Sequence, residues 1–170
     1  MAYKTYSAEF GANAIQLVEP NAPVVFGDAA VPYEVNSRGF VFHRTESGIF
    51  RVASVIPNPL TNCGCNSGWG CSCGCGCGSI PETIYQVSFG ANIAVPTGET
   101  VGPITLAITI DGEVDQTSEM IFTPAAVDTY GNVSADILVS VPAICGCESI
   151  SVRNISDIPV NVQNANLIIA

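Results

Sequence analysis

Basic residues are almost missing from this sequence: Lys and Arg total 5 against 15 Asp and Glu, for a net charge of −10. Nucleic-acid binding depends on a basic surface that neutralises phosphates, so no nucleic-acid partner is expected. Docking on an anionic membrane leaflet needs the same positive charge and is disfavoured too. Charge of either sign is scarce, at 12% of residues, where an average soluble domain carries about 25%. No apolar run approaches the roughly 18 to 20 residues of a membrane-spanning helix, although hydrophobic residues make up 48% of the chain. The apolar excess is therefore expected to be buried between subunits of a compact homo-oligomer. The start, Met1-Ala2-Tyr3-Lys4-Thr5-Tyr6-Ser7-Ala8-Glu9-Phe10, lacks the apolar core of a secretory signal, which predicts assembly in the cytosol or release by lysis. The single histidine, His43, has no local Ser or Cys partner motif, so it reads as structural and no enzyme is expected.

Helical periodicity is absent as well, and period-two alternation takes its place. Tyr85, Val87, Phe89, Ala91, Ile93 and Val95 alternate with Gln86, Ser88, Gly90, Asn92 and Ala94, the pattern of a half-buried strand. Ile104, Leu106, Ile108 and Ile110 repeat it, and Asp111-Gly112 follows at once as a two-residue hairpin turn. Further strands are predicted near 119–123, 135–141, 148–155 and 160–169, and in the first part near 12–18, 23–27, 39–44 and 49–56. Ser37-Arg38-Gly39 and Glu46-Ser47-Gly48 read as turns. About eight to ten short strands with Pro and Gly punctuation imply one all-β domain over 1–170, a sandwich, jelly roll or barrel.

The segment 58–81 interrupts this pattern with Cys63, Cys65, Cys71, Cys73, Cys75 and Cys77 set among glycines, and Cys145 and Cys147 follow far downstream. It reads as a long loop inserted between two strands. Cysteines at i and i+2 can chelate a soft metal together but rarely bridge each other. The spacing is not that of a zinc finger. Disulfides among these cysteines and Cys145 and Cys147 are the preferred reading; a metal-thiolate site and a free-thiol flexible loop stay open. No other cofactor is expected. Asp111, Glu113 and Asp115 hint at calcium, but no Glu closes a calcium loop and a solvated hairpin tip accounts for them. Trp69 is the one aromatic placed to stack on a sugar, which keeps host- or mucus-glycan binding as an alternative function.

The chain stops on Leu167-Ile168-Ile169-Ala170, so its last strand is expected to be an interior strand. Strict alternation would put Asn164 and Asn166 on the same face as Val160, Val162 and Ile168. Either a bulge near Gln163 changes the register, or the amides pair with symmetry mates near an axis; the second reading is preferred, with Asn164, Asn166 and Ile168 at the trimer interface.

The segments Val87 to Gly98, Val101-Gly102-Pro103-Ile104, Thr123-Pro124-Ala125-Ala126-Val127 and Val162 to Ile168, with Ser47-Gly48-Ile49-Phe50, resemble small β-proteins encoded by phages and prophages of gut Firmicutes. The arrangement is also similar to the trimeric C1q/TNF-like jelly roll, including the globular tips of bacterial collagen-like surface proteins. The resemblance covers most of 39–170. It implies a homotrimeric jelly roll with the final strand at its centre, and 1–38 as the N-terminal strands and attachment segment. No Gly-X-Y stalk is present, so the implied role is a non-enzymatic structural protein of the virion, a capsid decoration or spike bound to a phage shell protein. A bacterial or spore surface protein is a further alternative.

Overall fold

A computed structural model of the chain describes residues 8–27, 29–31, 41–44, 46–54, 82–142 and 147–170. The predicted turn at Ser37-Arg38-Gly39, the Cys-rich segment and Cys145 lie outside the described residues.

The predicted alternation becomes buried and exposed faces. In β6 (Glu82–Ala94), Tyr85, Val87, Phe89, Ala91 and Ile93 are buried while the residues between them are not. β7 (Ile104–Ile110) turns at Asp111 (φ 51) and Gly112 (φ 86) into β8 (Glu113–Val114). Two successive left-handed residues make the hairpin turn that Asp-Gly predicts. β9 (Met120–Phe122), β10 (Gly131–Pro142), β11 (Cys147–Asn154) and β12 (Val160–Ile169) complete the second half.

The first half departs from the expectation. The predicted strand at 12–18 is two strands, β1 (Ala8–Ala12) and β2 (Gln16–Val18), and 23–27 is extended chain with isolated bridges at Pro23 and Phe26. β3 (Ala29–Val31), β4 (Val41–His43) and β5 (Phe50–Ala53) follow. Ala8-Glu9-Phe10-Gly11-Ala12 has no β-branched residue, so its strand state comes from pairing with β12 at the far end of the chain.

Two antiparallel sheets face each other. One runs β10-β6-β12-β1-β3 with β2 also on β12; the other runs β4-β5-β11-β7-β8 with β9 also on β7. β12 therefore lies between β6 and β1, the interior position expected of it. Between the sheets, Phe50 meets Phe10 (ring centroids 4.6 Å apart), Phe26 (5.4 Å) and the stacked ring of His43 (4.4 Å). Tyr85 Oη crosses from β6 to donate to the Ala53 carbonyl at 2.6 Å, and the hydroxyls of Ser54 and Thr83 pair at 2.8 Å. These two bonds hold together the ends of the described chain on either side of 55–81.

Side-chain bonds close the gaps in the sheets. Ser118 lies in the 3₁₀ turn Gln116–Ser118, which separates β8 from β9 on one edge of β7. Its hydroxyl accepts the Ile108 N–H at 2.8 Å, where a continuous strand would have supplied a carbonyl. Asn154 is fully buried; its amide donates to the carbonyls of Val18 (3.0 Å) and Ile158 (2.8 Å) and accepts the Ser156 N–H (2.9 Å).

Gly48 is fixed by close approach. A Cβ there would stand 2.5 Å from Pro23 Cβ and 2.6 Å from the Val24 carbonyl oxygen. The oxygen is backbone, so relief requires moving the extended 23–27 segment. Gly48→Ala is expected to lower stability by about 2 kcal/mol in urea unfolding, as overpacking does. A loss under about 0.5 kcal/mol, the range of ordinary surface changes, would show that the segment yields freely.

Candidate functional site

β12 carries the predicted site, and its parity conflict is settled by a bulge. Pairing with β6 shifts register between Gln163 and Asn166, and Asn164 takes a left-handed backbone (φ 52). Val160 and Val162 point inward before the shift, and Ala165, Leu167 and Ile169 after it. The first of the two alternatives, a bulge near Gln163, is therefore present: the extra residue moves Asn164 to an exposed position and reverses the faces beyond it. Asn166 is satisfied within the chain, donating from Nδ2 to Glu9 Oε1 at 2.6 Å.

The reversal turns Asn166 and Ile168 onto the outer face of the β10-β6-β12-β1-β3 sheet. Register places Asp136, Ser88, Ile168 and Glu9 in one row across β10, β6, β12 and β1. Ser134, Gly90, Asn166 and Gly11 form the next row. On the other side Leu138 stands opposite Gln86, which exchanges backbone hydrogen bonds with Ala170 (2.8 and 2.9 Å), and Ile84 stands opposite Ser140. Leu138 is 70% exposed, Ile84 61%, Leu17 of β2 55% and Ile168 38%, so four large apolar side chains face outward from this sheet, Ile84, Leu138 and Ile168 on the adjacent strands β6, β10 and β12. The face is lowered where small residues stand in these rows, at Ser88, Ser134, Gly90 and Gly11. A Cβ on Gly11 would meet nothing within 4 Å and one on Gly90 only the Val133 carbonyl at 3.8 Å, so packing within the protomer does not require glycine at either position.

The charges on this face have one sign. Glu9 and Asp136 lie in the Ile168 row, and Glu82 at the rim accepts the Ser140 hydroxyl at 2.6 Å. Among the described residues the arginines belong to the other sheet: Arg51 is on β5, Arg153 on β11, and Arg44 follows β4.

Ile84 and Leu138 were missed in the sequence. Their signal is an apolar residue on the polar parity of its strand, visible once Val87, Phe89, Ile137 and Val139 define the inward face.

The remaining candidates separate. Cys147 is disulfide-bonded, and Cys63, Cys65, Cys71, Cys73, Cys75, Cys77, Cys145 and Trp69 lie outside the described residues. Among the described residues no group of three or more His, Cys, Asp or Glu is placed to hold a metal, and no helix is long and apolar enough to cross a membrane. His43 Nε2 donates to the Ser47 carbonyl at 2.8 Å. The acids of the hairpin diverge: Asp115 caps the 3₁₀ turn by accepting the Thr117 N–H (2.8 Å), Glu113 is exposed, and Asp111 turns back toward β11.

No protein-family model and no curated protein matches the chain. Solved structures do. The Eiger TNF structure from S. frugiperda aligns at a TM-score of 0.58 and 12% identity, over 96% of this chain and 90% of that one. The globular domain of zebrafish complement 1qA aligns at 0.53 and 11% identity, over 95% and 94%. At such identities the likeness speaks for the fold alone: this chain is an all-β sandwich with the C1q/TNF-like jelly-roll architecture.

Proposed function

We propose that this chain is a non-enzymatic structural subunit that forms a homotrimer through the outer face of the β10-β6-β12-β1-β3 sheet and serves on a phage particle as a decoration or spike. The observation that carries the assembly is the outward cluster of Ile84, Leu138 and Ile168 beside glycines that the protomer does not need. Small residues let another copy approach this face closely, and burial of the three apolar side chains supplies the driving force.

The charge pattern favours a ring over a two-fold dimer. In a two-fold dimer the same patch meets itself, which sets Glu9 and Asp136 against carboxylates with no described cation between them. A ring sets the face against a different surface of the next copy. The edge of the second sheet offers one, with Ile121 63% and Val114 40% exposed. The place on a phage particle rests on the sequence resemblance of the 39–170 region.

Light scattering on the purified chain tests the assembly: the expected mass is three times the 17.7 kDa of one chain. A monomer or a two-fold dimer would overturn it. Quantitative mass spectrometry of purified particles tests the location, the expected result being a fixed ratio to the major shell protein. Absence from particles would remove the phage role and leave the trimer standing.

A further inference from the structure

The outer face of the β10-β6-β12-β1-β3 sheet changes character along its strands. Beyond the Ser134-Gly90-Asn166-Gly11 row, register sets Asn132 of β10, Asn92 of β6 and Gln163 of β12 side by side. Ala94, Asn161 and Leu17 make up the row after it. Tyr130, of the same parity as Asn132, stands at the head of β10 and is 36% exposed. Ala94 is 0% exposed although its parity is outward, so the side chains around it stand above a sunken floor. Ser88, the partner of Ile168, is four residues from Asn92 along β6, about 14 Å of strand, and Ile84 is eight residues away, about 27 Å. The amides and the apolar cluster thus occupy different ends of one face. We propose that the amide end is a shallow binding site for a neutral oligosaccharide, with Tyr130 as its stacking ring and Asn92, Asn132, Gln163 and Asn161 as partners for sugar hydroxyls.

The amides hold hydrogen-bonding capacity that the protomer leaves unspent. Asn132 Nδ2 donates to the Ala91 carbonyl (3.4 Å) and to Asn92 Oδ1 (3.3 Å), so Asn132 Oδ1 and Asn92 Nδ2 stay open. The Gln163 side chain has no partner among the described residues. Asn161 Nδ2 reaches Asp128 Oδ1 at 3.5 Å, and the Thr97 hydroxyl donates to Asp128 Oδ2, which fixes one carboxylate at the rim. Each amide offers donors and an acceptor without charge, a match for hydroxyls that also do both. An aromatic ring supplies the apolar surface on which the C–H face of a sugar packs. Asp128 is the charged group of the cluster; a carboxylate accepts from hydroxyls and repels anions, so the sugar is a neutral one. The site rests on the proposed assembly to one extent: contact between copies is confined to the end that holds Ile84, Leu138 and Ile168. Amides with open valences are costly to bury against an apolar surface, which favours that division.

An array of neutral oligosaccharides of glucose, galactose, mannose and N-acetylhexosamines, with sialylated and sulfated glycans beside them, tests this on the purified full chain. Selective binding of a neutral oligosaccharide is expected, and titration with it should shift the side-chain NH2 signals of Asn92, Asn132 and Gln163 in NMR. Tyr130→Ala is expected to weaken binding about tenfold and Asn132→Ala about fivefold, while Tyr130→Phe, which keeps the ring, stays within about twofold of the native chain. Both positions are exposed, so circular dichroism should report an unchanged sandwich in each variant. The folded Leu138→Asp variant should bind as the native chain does, whether the native chain is a trimer or a monomer. Failure of the assembly therefore leaves the site standing, and a trimer that binds no sugar leaves the assembly standing. Loss of binding in Leu138→Asp would overturn a site within the protomer. Absence of neutral-sugar binding, binding of acidic glycans alone, or native affinity in both Tyr130→Ala and Asn132→Ala would overturn it as well.

Discussion

Replacing Leu138 by Asp is expected to convert the proposed trimer into folded monomers, a threefold fall in mass by light scattering. Leu138 is 70% exposed in the protomer, while its neighbours Ile137 and Val139 point into the core, so the substitution leaves the fold's own packing untouched. In the assembly the new carboxylate would be buried on a face that already holds Glu9 and Asp136 and has no described cation. An unpaired buried charge costs several kcal/mol, and the ring repeats that cost in every copy. Circular dichroism and the Tm of the monomer are the controls, and both should report an intact sandwich. Ile168→Asp should act in the same way, since Ile168 stands directly opposite Glu9 on β1. If both variants stay trimeric, the outer face of this sheet is not the contact and the assembly must be built on another surface.

Asn154→Ala is expected to have the largest effect on the protomer itself, a loss of about 3 kcal/mol in urea unfolding. The side chain is fully buried and links three segments: β2 through Val18, the loop at Ile158, and the turn at Ser156. Its backbone adds two bonds to the extended segment, donating to the Ala22 carbonyl (3.1 Å) and accepting the Asn21 N–H (2.7 Å). Truncation leaves two carbonyls and one N–H without partners where the side chain supplied them, and each such group costs about 1 to 3 kcal/mol. The midpoint should fall with the urea slope unchanged, because the native sandwich persists at lower stability. A loss under 1 kcal/mol would mean that water takes over the role of the amide. Asn154 also begins a glycosylation sequon, and its burial with both amide hydrogens spent removes it as an acceptor in the folded chain.

Several elements could be read directly from the residues. The faces of β6 and β7, the Asp111-Gly112 turn and the span of β12 agree with their predictions, because each depends on side-chain alternation or on backbone preferences a few residues apart. β1 could not be read this way, since Ala8-Glu9-Phe10-Gly11-Ala12 becomes a strand only against β12. The apolar cluster on the outer face was only half visible. Ile168 was singled out from the terminal strand, whereas Ile84 and Leu138 acquire meaning only when β6 and β10 bring them onto one face. Asp111 reads as a solvated tip in the sequence; its partner Ser149 lies far along the chain and meets it only through the pairing of β7 with β11.

The all-β class and the inward faces of β6 and β7 are legible in the residues, because a period of two and the turn between β7 and β8 are local properties of the chain; sandwich, jelly roll and barrel stay open at that level. The choice at Asn164 stays open there too, since a bulge and a symmetry contact satisfy the same pattern. The bulge, the central place of β12 and the outward set of Ile84, Leu138 and Ile168 emerge with the folded sheet. Those features depend on which distant strands pair and in what register, and register is set by the whole core closing at once.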